Sequence, residues 1–185
     1  SLIAMVSEVA GGHVDAGNPR LKEWFSTIAT TSRDTVDAMS DIVWAVNPKR
    51  DQLQELTNRM RHFAEDILGA RDVDLNFRAS EASRGLKAGA DLRREVFLIF
   101  KESVNNIVRH SECTSAEVEV RTGGGWLTLV TTDNGRGFDP SGVEGNGLAN
   151  MRNRARKLGG SLEVVSGNGP TGRGTTVVLR VPLKA

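Results

Sequence analysis

The stretch Glu102-Ser103-Val104-Asn105-Asn106-Ile107-Val108-Arg109-His110-Ser111 decides how the chain is organised. At 3.6 residues per turn its spacing predicts a helix whose polar stripe consists of Glu102, Asn106, Arg109 and His110. The opposite stripe is apolar and consists of Leu92, Val96, Ile99, Phe100 and Val104. A carboxylate, a carboxamide, a guanidinium and an imidazole on one face suit a magnesium-bound polyphosphate, because magnesium prefers hard oxygen ligands and phosphate prefers cationic donors. Taken alone, the polar stripe also fits an ordinary solvated helix face.

Composition limits the classes of protein that the chain can belong to. Its 185 residues with 38% hydrophobic content can form a real core, as one domain or two small ones. The net charge of +1 gives no indication of a nucleic-acid or anionic-membrane surface. Residues 70–185 hold 17 Lys and Arg against 13 Asp and Glu, which fits an anionic ligand.

The sequence also predicts where the protein resides. The single cysteine, Cys113, excludes an intrachain disulfide and is consistent with a reducing compartment. No apolar run approaches the roughly 20 residues that span a bilayer, and no signal peptide opens the chain. We therefore expect a soluble, cytoplasmic piece without membrane contact. The helical pattern at Leu2 begins without a cap, which predicts that a longer parent continues upstream, and membrane attachment of that parent stays open.

Residues 1–69 are predicted to be helical. Asn18-Pro19 is a typical start of a long helix. Heptad spacing is followed by eight positions, six of them apolar: Leu21, Phe25, Ile28, Ser32, Thr35, Met39, Ile42 and Val46. A hairpin cannot bury such a seam well alone, so we expect pairing with a second copy. Asn47-Pro48 interrupts the helix, and a further apolar stripe extends to about Leu68.

Residues 70–185 are predicted to form a second domain of the α+β class. Apolar residues alternate from Val73 to Phe77, from Ala116 to Val120 and from Trp126 onward, which predicts strands. Helices are expected at the stretch of residues 102–111 and after Gly147, and a last strand is expected at residues 175–183. This order predicts an α/β sandwich with a mixed β-sheet covered by helices on one face.

Two glycine-rich segments interrupt this pattern. Asp133-Asn134-Gly135-Arg136-Gly137 follows a strand, and its glycines allow close backbone approach, although such a sequence is also an ordinary turn. Gly145-Asn146-Gly147-Leu148 opens a helix, whose free N–H groups and dipole make it an anion site. The segment is neither a P-loop, since it lacks Gly-Lys-Ser/Thr, nor a dinucleotide fingerprint.

Four segments together resemble, in order and spacing, the motifs of the GHKL ATPases. They are residues 102–110 (the N box), residues 133–137 and 145–148 (the two glycine boxes) and the closing pair Gly174-Thr175. Within that superfamily the chain is similar to bacterial sensor histidine kinases with a short ATP lid, which signal to response regulators with helix-turn-helix output domains. The short gap between Gly137 and Gly145, the run of residues 148–160 and the upstream helices carry this narrower resemblance.

The resemblance implies a role for each region. Residues 1–69 would be part of a dimerisation and histidine-phosphotransfer hairpin, and residues 70–185 a catalytic ATP-binding domain of the Bergerat type. The implied ligands are ATP and Mg²⁺. The implied partners are a second copy, bound through the hairpin of the parent protein, and the receiver domain of a response regulator, with no direct nucleic acid contact.

Individual site residues follow from the same resemblance. Asn106 would be the magnesium ligand, and Arg109 and His110 would contact phosphates. Asp133 would bind the adenine amino group, assisted through water by Thr175. The remaining positions are Gly135 and Gly137 in the adenine pocket, Gly145, Gly147 and Leu148 in the lid and phosphate loop, and Glu102, which would order metal-bound water or assist proton transfer.

The phosphoacceptor histidine that the resemblance implies does not match any histidine of this chain. His13 and His62 lack the family's acceptor context, so we expect the acceptor directly upstream of Ser1. Two other classes of protein share part of this pattern. A serine kinase of the anti-sigma-factor type shares the ATP motifs but lacks a dimerising hairpin, and a nucleotide-binding dimerisation module without kinase activity would show an eroded site.

Overall fold

The computed structural model describes residues 1–13, 18–46, 51–80, 85–137, 146–167 and 173–183. The chain divides into two compact units, Ser1–Asn47 and Pro48–Ala185. This division differs from the domain boundary predicted at residues 69 and 70. The helix before that boundary, α3 (Leu53–Gly69), packs against elements of the second unit, so the apolar stripe that ends at Leu68 belongs to the second unit's core.

The first unit is a hairpin of two helices, α1 (Leu2–Gly12) and α2 (Pro19–Val46). Gly11 allows the helices to approach closely, because a Cβ atom there would lie 3.2 Å from Cβ of Phe25. At the other end, the hydroxyl groups of Ser1 and Ser32 are 2.7 Å apart, so the helices run antiparallel. Arg33 and Glu8 form an ion pair between them.

The predicted heptad seam of α2 is only partly covered within one chain. Phe25 is half-buried, and the neighbouring Ala29 is fully buried against α1. Ile28 and Met39 keep 45% and 62% of their surface exposed. The side chains of Ile42 and Val46, and the interruption at residues 47–48, lie outside the described residues. An apolar face of α2 therefore remains exposed.

The second unit contains a five-stranded sheet, which confirms the predicted α+β class with a mixed sheet. Its strands are β1 (Asp74–Ala79), β2 (Ser115–Gly123), β3 (Trp126–Asp133), β4 (Ser161–Ser166) and β5 (Thr175–Pro182). The spatial order is β1-β2-β3-β5-β4, with β1 and β2 parallel and the other pairs antiparallel. Alternate residues of β2 and β3 are buried, as period-two spacing requires.

Three helices pack on this sheet: α3, α4 (Ala90–Asn106) and α5 (Asn146–Lys157). The predicted apolar stripe of α4, from Leu92 to Val104, is buried. Phe63 of α3 meets Phe97 and Phe100 of α4 edge-on, with ring centroids 5.9 and 6.2 Å apart. Among the residues that the structure describes, no helix is both long enough and apolar enough to cross a membrane.

The sequence predicted one α-helix through the whole N box, but the α-helical part of α4 ends at Asn106. It changes to a π-helical turn at Ile107–Ser111, so Arg109 and His110 leave the 3.6-residue stripe of Glu102 and Asn106. The Ser111 hydroxyl donates to the carbonyl of Ile107 at 2.7 Å. Glu112 then takes a left-handed conformation, with φ at 53°, and ends the helix.

Candidate nucleotide-binding site

Asp133 is the last residue of β3, and its side chain is held by backbone groups of two neighbouring segments, at Gly135 and Thr175. The residue is only 4% exposed. Its Oδ1 accepts a hydrogen bond of 2.9 Å from the backbone N–H of Gly135, and the backbone N–H of Thr175 donates to the same carboxylate. Burial raises the pKa of Asp133, and these two hydrogen bonds offset part of the rise. The carboxylate is therefore oriented before any ligand arrives.

The segment after Asp133 is pressed against the C-terminal end of the N-box helix. At Gly135 a Cβ atom would lie 2.7 Å from both the carbonyl carbon and the Cβ atom of Ser111. On the opposite side, Gly174 adopts a φ of 94° and leaves no room for a Cβ atom beside the carbonyl of Asp133. Glycine is thus required at both positions by close backbone packing.

Arg136 fastens this segment to the π-helical turn. Its backbone N–H donates to the carbonyl of Ser111 at 2.8 Å, and its Nε donates to the carbonyl of His110 at 2.8 Å. Its Nη1 lies 3.1 Å from Glu112 Oε1. These bonds satisfy carbonyl groups at the helix end, where no further helical turn is available to do so. The sequence motif contained Arg136, but its spacing gave no indication of this role.

Asn134 has a structural role rather than a ligand-binding one. Its Oδ1 accepts hydrogen bonds of 3.0 Å from the backbone N–H groups of both Thr114 and Ser115. Its Nδ2 donates to the Thr114 hydroxyl at 2.9 Å. The loop between the π-helical turn and β2 is therefore joined to the Asp133 segment.

The second glycine segment meets the same helix nine residues before Ser111, at Glu102. Gly147 lies in the first turn of α5, and a Cβ atom added there would overlap with Oε1 of Glu102. Leu148 is half-buried beside it. The first turn of α5 has backbone N–H groups without helical partners, and its dipole favours negative charge. These N–H groups at the start of α5 thus lie directly beside a carboxylate of α4.

The structure brings the predicted site residues together in two groups. The first contains Asp133, Gly135, Gly137 and Thr175, since Gly137 packs beside the carbonyl of Gly174, next to Thr175. The second contains Glu102, Gly147 and Leu148. Asn106 ends α4, one turn after Glu102, and is half-buried.

Two predicted residues stand apart from these groups. Arg109 and His110 lie on the π-helical turn with exposed side chains. Gly145 lies outside the described residues.

The side chains available as metal ligands decide how a metal ion would bind here. In the described ranges, His, Cys, Asp and Glu form no group of three that could hold a metal ion. The side-chain oxygen of Asn106 is a suitable hard ligand, but it cannot hold a cation alone. Magnesium commonly keeps several waters and binds phosphate oxygens together with one or two protein ligands. The residues present therefore fit a magnesium ion that arrives with a polyphosphate.

Comparison with known proteins identifies the family. The family described as histidine kinase-, DNA gyrase B- and HSP90-like ATPases matches residues 91–185, just over half of the chain. The chain belongs to this ATPase family, and membership implies that the second unit binds ATP. The match begins in the first turn of α4 and includes both glycine segments.

Individual relatives show which kind of protein within this family the chain resembles. The sensor histidine kinase LiaS of Bacillus subtilis is 30% identical over 114 residues, which cover 60% of this chain and 29% of LiaS. The sensor protein VraS of Staphylococcus aureus is 33% identical over 99 residues, which cover 52% of this chain and 28% of VraS. The matched part of the chain thus spans less than a third of these relatives. They confirm the resemblance to sensor histidine kinases and do not favour the serine kinase alternative.

Solved structures show the same fold. The histidine kinase domain of the blue-light activated kinase EL346 from Erythrobacter litoralis superposes with a TM-score of 0.59 at 20% identity, covering 98% of this chain and 93% of that one. The histidine kinase AdeS of Acinetobacter baumannii has a TM-score of 0.64 at 13% identity, covering 100% and 95%.

Proposed function

We propose that this chain is the ATP-dependent core of a two-component sensor histidine kinase, which transfers the γ-phosphoryl group of ATP to a histidine. The observation that carries the proposal is the contact of one helix with both glycine segments. Ser111, at the C-terminal end, meets Gly135, and Glu102, nine residues earlier, meets Gly147. An adenine-binding carboxylate and an anion-binding helix end are thereby held against a common support.

In this proposal the first group of residues binds the base. The Asp133 carboxylate accepts a hydrogen bond from the adenine amino group, and Thr175 assists through a water molecule. Gly135 and Gly137 give the pocket its shape, because side chains at either position would fill space that the backbone now occupies. The existing hydrogen bonds from Gly135 and Thr175 hold the carboxylate in place, which lowers the entropy cost of binding.

The second group of residues and its neighbours bind the phosphates and the magnesium ion. Asn106 supplies an oxygen ligand to Mg²⁺, and the exposed Arg109 and His110 donate to phosphate oxygens. Gly145, Gly147 and Leu148 present backbone N–H groups, and Glu102 orders a metal-bound water or assists proton transfer. When bound, ATP would supply the phosphoryl group and Mg²⁺ would offset part of the phosphate charge. Positioning and charge stabilisation carry such a transfer, because the protein itself does little covalent chemistry.

The substrate histidine is proposed to lie upstream of Ser1. His13 already has a structural partner, since its Nδ1 is 2.7 Å from the carbonyl of Val9 at the end of α1. His62 is exposed on α3 and lacks the acceptor context. We propose that the phosphoryl group passes onward to an aspartate of a response-regulator receiver domain, and that the parent protein dimerises through the hairpin.

Nucleotide binding is tested first, by calorimetry with Mg-ATP. Asn106→Ala and Asp133→Ala should each weaken binding by about 1 to 3 kcal/mol, which is about 5- to 150-fold in Kd, because each removes a polar partner of the nucleotide. Asn105→Ala is the matched control, since Asn105 precedes Asn106 on the same helix turn and has no proposed role. Absence of binding by the wild type, or equal binding by all variants, would contradict the site.

Phosphoryl transfer is tested with labelled ATP. The chain alone should incorporate almost no acid-labile, alkali-stable phosphate, whereas a separate acceptor hairpin should become labelled. Transfer requires the γ-phosphate to come within about 3 to 3.5 Å of the acceptor imidazole. Strong labelling of the chain that disappears in His13→Ala or His62→Ala would show that the acceptor is internal. Acid-stable label would instead support the serine kinase class.

A further inference from the structure

The α5 helix docks on α4 through three contacts along one face of α5. Gly147 lies against Glu102, the Ser103 hydroxyl donates to Sδ of Met151 at 3.6 Å, and Arg154 pairs with Glu95. Positions 147, 151 and 154 share one face of α5, because they follow the i, i+4, i+7 pattern. Glu102 and Ser103 face the first half of α5, and Glu95, two turns earlier on α4, faces Arg154 near the end of α5, so the two helices pack antiparallel.

The ion pair at the far end of this row is largely withdrawn from water. Arg154 Nη1 lies 2.6 Å from Glu95 Oε2, and the side chains are 31% and 8% exposed. Arg94 is the other cation nearby, but its Nη1 is 3.9 Å from the second oxygen and its side chain is 43% exposed. Arg154 is therefore the main partner of the buried carboxylate. A short charge-assisted bond of this kind has a narrow range of favourable geometry.

The apolar part of the same interface does not define the position of α5 equally well. Met151 and Ala155 are buried, at 1% and 0% exposed. Methionine is unbranched and flexible, and alanine is small, so these two side chains restrict the position of α5 less than branched side chains would. Polar pairs inside apolar interfaces are known to fix register, which is a different role from adding stability.

Register matters here because of what lies at the other end of α5. Gly147 is seven residues before Arg154, or about 10 Å along an α-helix with a rise of 1.5 Å per residue. That distance prevents Arg154 from touching a phosphate held by the first turn. A helix of three turns is rigid enough, however, to transmit a displacement of Arg154 to Gly147 and Leu148. Any shift would also change the close contact between Gly147 and Glu102.

We propose that Glu95 and Arg154 are a positioning pair, which sets the register of α5 on α4 and thereby holds the N–H groups of Gly147 and Leu148 at the phosphates of the nucleotide. This inference rests on the proposed function, because it assigns the first turn of α5 to phosphate binding. It adds two residues that act through the helix and do not contact the nucleotide.

The test compares nucleotides with and without phosphates. Arg154→Met removes the charge and keeps a long helix-forming side chain, and Arg156→Met is the matched control. Arg156 is exposed on the same helix and bonds only locally in the described geometry, to Oδ1 of Asn153 at 3.2 Å. Affinity for Mg-ATP is measured by calorimetry, and affinity for adenosine by displacement of a fluorescent ATP analogue.

Arg154→Met should weaken Mg-ATP binding by about tenfold or more and change adenosine binding by less than about twofold, as expected when a supporting partner of a binding group is lost. Arg156→Met should leave both affinities within about twofold of the wild type, because its charge is not part of the interface.

A double variant separates position from stability. In Glu95→Met with Arg154→Met, apolar groups of similar length replace the pair, so the melting temperature should equal or exceed that of the wild type. Mg-ATP binding should nevertheless stay weakened. Wild-type affinity in the double variant, or equal losses for adenosine and Mg-ATP in Arg154→Met, would overturn the positioning role. A wild type that binds neither ligand would overturn the proposed function and this inference with it.

Discussion

The packing of Gly135 on the end of the N-box helix can be tested by replacing this glycine with alanine. The added Cβ atom would lie 2.7 Å from the carbonyl carbon and from Cβ of Ser111, and closer still to the carbonyl oxygen. Carbon atoms pack at about 3.5 to 4.0 Å, so one backbone segment has to move by about 1 Å. Both neighbours are backbone or Cβ atoms, so no flexible side chain can turn aside.

The size of the effect follows from this overlap. Overpacking in a well-packed region costs about 1 to 3 kcal/mol, and the second unit should melt at a temperature lower by roughly 2 to 12 °C. Movement also stretches the 2.8 Å hydrogen bond from Arg136 N–H to the carbonyl of Ser111. Because Asp133 lies two residues away, its carboxylate shifts relative to the phosphate end of the site. Mg-ATP affinity should therefore fall by about tenfold or more, which corresponds to about 1.4 kcal/mol.

The assay is thermal and urea unfolding of Gly135→Ala, followed by calorimetry with Mg-ATP. Gly123→Ala is the matched control, because Gly123 is also in the sheet region, has no positive φ and has nothing within 4 Å of an added Cβ. It should unfold and bind nucleotide as the wild type does. If Gly135→Ala matched this control in both stability and affinity, the reasoning from close packing would be refuted.

Two further predictions concern pH and assembly. Burial raises the pKa of Asp133 above its ordinary value of 3.8, so its contribution to stability is present below pH 3.8 and lost as the pH rises through the raised pKa. In urea unfolding, the wild type should gain stability relative to Asp133→Asn as the pH falls through this window, and a constant difference would contradict the shift. Ile28→Asp with Met39→Asp should give a monomer in light scattering, because both exposed residues lie within about 20° on α2. Thr30→Asp, about 200° from Ile28, should leave a dimer, and dimeric Ile28→Asp with Met39→Asp would place the interface elsewhere.

The sequence was sufficient for features that depend on local periodicity. The apolar stripe of α4 is buried as predicted, because spacing along a helix determines which residues share a face. The strands β2 and β3 were predicted from alternation, and both bury alternate residues. The order of motifs also led to the correct family. These inferences need no knowledge of which elements meet in space.

Features that depend on tertiary contact were not predicted. The π-helical turn at Ile107–Ser111 is accompanied by hydrogen bonds from Arg136, which lies 25 residues after Ser111 in sequence, so periodicity could not indicate it. The predicted boundary near residue 69 followed a change of period. The structural division lies earlier, since α3 and α4 are joined by aromatic packing such as that between Phe63 and Phe97. The pair of Glu95 and Arg154 spans 59 residues and has no sequence signature.

The contacts of the two glycine segments with one helix show that the N box contains structural residues beside the proposed metal ligand. Glu102 supports the first turn of α5, and Ser111 supports the segment after Asp133. These supports are nine residues apart, or roughly 13 Å at an α-helical rise. In the proposed function, the distance between the base-binding and phosphate-binding segments is then set mainly by the part of the helix between Glu102 and Ser111. Because a helix is stiffer than a loop, a site built in this way can hold both ends of a nucleotide at a fixed separation, even though each end is formed by a glycine-rich segment.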